Sequence, residues 1–155
     1  GLAFYLVGLT YERTHTRHIP HLGGLAIKMP LITTFFVLAG FASLGLPGLS
    51  GFVAELMIFV GTFKLGGLWA FSTVLSVFGV VLAAGYTLWM IQRSFLGSGV
   101  SNDSPVAKEY DNLSDMNNIE LIGAIILTLT IVTVGVYPSI VTDLFNIGIG
   151  EVFSR

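Results

Sequence analysis

Glu55 stands almost alone: between Met29 and Gln92 it and Lys64 are the only charged residues. An ionisable side chain inside a membrane helix costs about 2.5–3.5 kcal/mol on insertion scales, and it is retained where it faces a partner or a water-filled cavity. Nine residues separate Glu55 from Lys64, about 13 Å along a helix. With the Lys64 ammonium snorkelling to an interface, the carboxyl falls near the bilayer midplane. Just before it, Gly45-Leu46-Pro47-Gly48-Leu49-Ser50-Gly51 interrupts the helical pattern. Pro47 has no N–H to donate, while Gly45, Gly48 and Gly51 admit non-helical backbone angles. Unwound backbone at membrane depth is tolerated where protein or water covers it, and discontinuous helices flank ion sites in transporters. The chemistry this suggests is proton transfer. A carboxyl held between desolvation, which favours its neutral form, and a nearby cation, which favours the charged one, can load and release a proton. The competing reading is a permanent ion pair that never titrates.

The other polar residues offer less. His15, His18 and His21 recur at every third position, a spacing compatible with metal ligation. With no cysteine in the chain, and Arg13 and Arg17 alongside, interfacial contacts or a proton-relay role fit them better than zinc. His15, His18 and Lys64 are therefore auxiliary candidates to Glu55. The glycine-rich segment lacks the Gly-Lys-Ser/Thr ending of a phosphate loop. Neither a Ser-His-Asp set nor a carboxylate pair is visible. The sequence thus predicts no catalytic residue, no metal, no cofactor and no nucleic-acid partner for this chain.

Positioning these groups requires membrane helices. Of 155 residues 54% are hydrophobic and 10% charged, against about 25% charged in an ordinary soluble domain. That balance excludes a soluble enzyme, a nucleic-acid binder and a disordered tail. Residues 1–10 read as the end of a span and 11–28 as a polar connection. The tract from Met29 to Phe63 would measure about 50 Å as one helix, too long for a hydrocarbon core of ~30 Å, so it must break. The two halves form either a hairpin or one interrupted span. Leu65-Gly66-Gly67 is a turn. Residues 68–92 form a clean span with Trp69 and Trp89 near its ends and Ser72, Ser76, Gly79 and Ala83 as a small-residue packing face. Residues 98–118 are a polar linker, and 119–155 comprise a final span ending at Pro138 and a short interfacial tail. The fold class expected is all-α, polytopic and membrane-embedded. Gly1 falls within an apolar run, so the chain reads as the C-terminal piece of a longer membrane protein.

Basic residues orient it. With an interrupted span, Arg13, Arg17, Lys28, Arg93 and Lys108 share one side and Lys64 and Arg155 the other, which places the richer side in the cytoplasm or its equivalent. A hairpin would erase that bias.

Two runs, Tyr11-Glu12-Arg13-Thr14-His15-Thr16-Arg17 and Leu44-Gly45-Leu46-Pro47-Gly48-Leu49-Ser50-Gly51-Phe52-Val53-Ala54-Glu55, with Gly23-Gly24-Leu25-Ala26 and Lys28-Met29-Pro30 between them, resemble the chain M (subunit four) family of respiratory complex I. These are antiporter-like membrane subunits of proton-pumping NADH–quinone oxidoreductase. The likeness is strong over roughly the first hundred residues and one of layout beyond. It implies an inverted-repeat fold in which residues 1–97 are the end of the proton-conducting domain, with broken helix 29–63 and helix 68–92. It further implies that Glu55 is the acid on the exit half of a proton path whose other charges lie upstream of Gly1. Implied partners are membrane lipid, other membrane subunits and the upstream helices of the same subunit. The implied location is a bacterial plasma membrane or an equivalent energy-transducing membrane. Related cation/proton antiporter and membrane-bound hydrogenase subunits share either run alone, and a passive membrane scaffold is the alternative of a different class.

Overall fold

The computed structural model describes residues 1–97, 105–108 and 110–143. Among them there is no strand. Five long α-helices are present among the described residues: α1 (Leu2–Thr14), α2 (Pro30–Ser43), α3 (Ser50–Lys64), α4 (Gly67–Ser94) and α5 (Asn118–Val136), with short 3-10 turns between them. The helices α4 and α5 are long and apolar enough to cross a membrane, yet only 6% of each one's central stretch is buried within the chain. Phe71, Phe78, Leu82, Ile122 and Leu129 are all exposed. A soluble protein hides such a surface, whereas lipid or neighbouring helices accept it.

The direction of each helix follows from contacts at the ends. Ala26, just before α2, donates its N–H to the Phe95 carbonyl, just after α4, at 3.0 Å. The start of α2 and the end of α4 therefore share one end of the bundle. At 28 residues, α4 carries the chain about 42 Å to the opposite end. There it meets α3 through Leu65 and Gly66, where the Thr62 and Thr73 hydroxyls approach to 2.7 Å. Hence α2 and α3 run in the same direction. Each is about 22 Å long, too short to span alone, and together they make one interrupted crossing. A hairpin would leave Phe95 far from Ala26.

Residues 44–49 make the interruption with two standard devices. At the end of α2, Gly45 takes a left-handed φ of 62°, Leu46 N–H reaches back to the Phe41 carbonyl at 3.2 Å, and Gly45 N–H points to the Ala42 carbonyl at 3.4 Å. That is the Schellman pattern, which satisfies helix-terminal carbonyls. Next, Leu46-Pro47-Gly48-Leu49 closes a turn through Leu49 N–H to Leu46 O at 3.1 Å, with Gly48 at φ 89°. Proline second and a positive-φ glycine third is the type II turn signature. Ser50 then opens α3.

The basic end is tied together by charge. The Arg13 guanidinium donates to Glu120 Oε2 at 2.6 Å and to the carbonyls of Leu9, Ser114 and Asp115 at 2.8–3.1 Å. Glu120 also completes a capping box with Asn117 at the start of α5. Asp115 caps a different helix, accepting the N–H groups of Leu31 at 2.7 Å and Ile32 at 3.2 Å at the start of α2. Pro30 at the first position suits that start, since its absent N–H would have no helical acceptor. Lys28 pairs with Asp111 at 3.1 Å, and the Tyr110 hydroxyl donates to Gly24 O at 2.7 Å. The buried cluster of Leu2, Leu6 and Leu9 with Met29, Ile32, Phe36, Ile91, Phe95 and Met116 lies under this lattice.

Two boundaries differ from the sequence expectation. The connection predicted from Tyr11 starts one turn later, because α1 continues through Glu12 and Arg13 to Thr14; the Thr10 and Thr14 hydroxyls bond carbonyls one turn back. The linker after 104, read as merely polar, is folded onto the residues preceding α2. Of the tail, residues 139–143 are helical. The rest of the proposed interfacial helix, with Leu144, Phe145 and Arg155, lies outside the described residues.

Arg13 and Lys28 give a testable contrast. The Arg13–Glu120 side chains are 10% and 20% exposed, whereas Asp111 is 92% exposed. Arg13→Ala strands a largely buried carboxylate and should lower stability by about 3 kcal/mol. Lys28→Ala removes a solvated pair worth less than ~1 kcal/mol. Thermal unfolding of the full-length subunit in detergent checks this, and an equal loss for both would contradict it.

Candidate functional site

Glu55 is the sixth residue of α3. Helical side chains tilt toward the helix N-terminus, so its carboxyl is carried back over the preceding turn. There it meets the interruption: the carboxylate lies directly against the bare Cα of Gly45. Glu55 is half-buried, and no cation or hydrogen-bond donor among the described residues engages it. Its helix contributes no fully buried residue to the core, so α3 presents this acid from the periphery of the bundle.

Glycines let backbone close in on the break from two more directions. A side chain on Gly51 would collide with the Ala42 carbonyl, so the first turn of α3 rests on the last turn of α2. A side chain on Gly135 of α5 would collide with the backbone of Gly48 and Leu49. Thus α5 covers the unwound segment with protein, as a break at membrane depth requires. Beside it a half-open cleft of about 230 Å³ is lined by the first residues of the chain, Gly1, Leu2 and Ala3, together with Ala39, Ala42, Ser43, Ser50, Gly51 and Ile131.

The other candidate residues are dispersed. Lys64 ends α3, exposed, at the opposite end of the bundle from Arg13. His15 terminates α1 in the left-handed conformation at φ 50°, with its ring edge-on to Tyr11 at 6.4 Å. His18 and His21 stack at 5.0 Å. Among the described residues no three His, Asp or Glu side chains converge as a metal would need. The small-residue face of α4 is left open within the chain, with Ser72, Ser76 and Gly79 exposed.

Three contributors went unnoticed in the sequence. Asp115 was one acid among several in the linker, and nothing local shows that it caps a helix far away in the chain. Glu120 did carry a signal, the Asn117-x-x-Glu120 spacing of a capping box. Gly135 is an isolated glycine in a β-branched run, a pattern that marks close packing.

The family model described as NADH:quinone oxidoreductase/Mrp antiporter, transmembrane, matches residues 1–83, a stretch that contains both the break and Glu55. NAD(P)H-quinone oxidoreductase chain 4 of Gloeobacter violaceus is 40% identical over 149 residues, covering 92% of this chain and 27% of that protein. A second such chain 4 from Synechococcus sp. strain JA-3-3Ab is 37% identical over 150 residues, covering 92% and 27%. NADH-quinone oxidoreductase subunit M of Rickettsia bellii is 36% identical over 146 residues, covering 94% and 28%. Among solved structures, a chain of respiratory complex I from Thermus thermophilus with bound NADH superposes with a TM-score of 0.71 at 32% identity. That superposition covers 86% of this chain and 26% of the other. The chain thus spans little more than a quarter of the relatives it matches.

Gly135 yields the prediction. Gly135→Ala puts a methyl group into the backbone of residues 48–49, which cannot swing away. Gly123→Ala, on the same helix, meets only the Tyr5 ring, 3.2 Å from its hydroxyl. Gly135→Ala should cost about 1–3 kcal/mol through overpacking, and Gly123→Ala distinctly less. Assembly yield and unfolding temperature of the two variants decide it; equal behaviour would show that α5 does not seal the break.

Proposed function

The chain belongs to the NADH:quinone oxidoreductase/Mrp antiporter transmembrane family, and from that membership we propose that it is part of an antiporter-like subunit that moves protons across an energy-transducing membrane. In this reading the subunit works within an NADH–quinone oxidoreductase. Electron transfer elsewhere in the complex drives it indirectly, through changes in charge and conformation along the membrane. The observation that carries the proposal is the half-buried Glu55 carboxylate, seated against the interruption of its own membrane crossing at Gly45. The relatives compared carry oxidoreductase names, which favours that complex over an antiporter or hydrogenase assembly.

Within the proposal Glu55 receives a proton from the part of the path that lies upstream of Gly1 and releases it toward the exit side. The Ser43 and Ser50 hydroxyls, which line the cleft beside the break, are candidate relay groups. His15 and His18 lie at the basic end and Lys64 at the opposite one, where they assist proton entry or exit. Residues 1–97 form the end of the proton-conducting domain, 98–118 link, and 119–155 add the last crossing and tail. Residues 1–97 and 119–155 need the upstream helices of the subunit, neighbouring membrane subunits and lipid to cover the apolar faces of α3, α4 and α5. On this reading the chain is assigned no cofactor and no metal of its own. The membrane is a bacterial plasma membrane or its equivalent, with the Arg13–Arg93 end facing the cytoplasm-like side, where basic residues concentrate.

Two substitutions in the intact complex test this. Glu55→Gln keeps size and hydrogen bonding but deletes the proton; assembly should stay near normal while pumping falls at least tenfold. Glu55→Asp should keep part of the activity, its carboxyl about one methylene short. If Glu55 were locked in an ion pair, Gln would instead strand the cation and damage assembly, a penalty of ~3–5 kcal/mol. Proton uptake and complex yield measured on the same preparations separate the two.

A further inference from the structure

Gly45 carries two constraints at once. Its φ of 62° is the left-handed conformation that ends α2, and any side chain there would collide with Glu55. An added Cβ would fall 2.7 Å from Glu55 Cδ and 3.0 Å from Oε1, and closer still to Oε2. Gly48 is the useful contrast: it has a still larger positive φ of 89°, but a Cβ there meets nothing. The left-handed turn alone would thus account for a glycine at either position, whereas only Gly45 abuts the acid.

We infer that Gly45 is a positioning residue for Glu55: the missing side chain is the seat that fixes where the carboxylate sits against the break. This rests on Glu55 being the proton carrier. Its physical content is geometric. The acid reaches the break because helical side chains lean toward the N-terminus, and its approach is stopped by bare backbone. Proton transfer depends on donor–acceptor separations of about 2.6–3.2 Å. Displacement by roughly 1 Å can lower a rate by as much as ~100-fold. A methyl group at residue 45 forces a displacement of that order, since the α2 backbone behind it is held by the Leu46-to-Phe41 and Gly45-to-Ala42 hydrogen bonds.

The test uses the intact complex and reads proton translocation per assembled complex in Gly45→Ala, Gly48→Ala, Glu55→Asp, Glu55→Gln and the double variant Gly45→Ala/Glu55→Asp. Gly48→Ala imposes the left-handed strain without the collision, so its loss should be several-fold smaller than that of Gly45→Ala, expected at tenfold or more. Shortening the acid by one methylene makes room for the new methyl group. The double variant should therefore pump at about the rate of Glu55→Asp alone and at least threefold faster than Gly45→Ala. Backbone strain cannot produce that rescue. If Gly45→Ala fails to assemble, recovery of assembly in the double variant is the same result by another readout. Equal losses in Gly45→Ala and Gly48→Ala, or a double variant no better than Gly45→Ala in rate or assembly, overturns the inference. Full pumping by Glu55→Gln instead overturns the proton-carrier reading beneath it, so the two failures are distinguishable.

Discussion

A polypeptide that stops being helical inside a bilayer leaves backbone donors and acceptors where no water is at hand, at a cost of several kcal/mol for each unpaired group. Every feature around residues 44–49 answers to that constraint. The carbonyls of Phe41 and Ala42 are taken up by the N–H groups of Leu46 and Gly45. The following turn closes on itself through Leu46 and Leu49, and Pro47 brings no N–H that would need a partner. What remains is screened by backbone, Gly51 against Ala42 on one side and Gly135 against Gly48 and Leu49 on the other. Both approaches require glycine, because only a residue without Cβ permits them.

The same constraint places the acid. With the helix broken, the carboxyl reaches a short stretch of non-helical backbone at Gly45. The rest of the chain divides into a held end and an open one. Arg13, Asp115 and Glu120 lock α1, α2 and α5 together at the basic end, over a buried cluster rich in leucine and phenylalanine. Toward the other end α3 buries nothing completely and α4 is largely bare. In the proposed function this asymmetry is useful: a fixed scaffold sets the start of the interrupted crossing, while the acid faces helices supplied from outside residues 1–155.

Much of this was legible in the residues. An isolated glutamate and a Gly-Leu-Pro-Gly break within one apolar tract announce themselves by composition and length, and helices α4 and α5 begin and end within about two residues of expectation. The likeness to chain M of complex I was carried by runs that the family match at 1–83 also spans. What stayed hidden is non-local. Whether residues 29–63 fold as a hairpin or cross once depends on Ala26 meeting Phe95, a pairing between residues far apart in sequence. Asp115 looks like a linker acid until its carboxylate is seen capping α2. The contact of Gly45 with Glu55 follows from the hand and length of the turn between them, which a list of turn-forming residues does not reveal.

The central claim is that Glu55 changes protonation as the complex turns over, and vibrational spectroscopy addresses it at the level of the bond. Difference infrared spectra of the intact complex, triggered by reduction, should contain a protonated-carboxyl C=O band that appears in one state and vanishes in the other. The account predicts that this band shifts on deuteration and is lost in Glu55→Gln. Identical carboxyl difference bands in the wild type and in an assembled Glu55→Gln complex would contradict it.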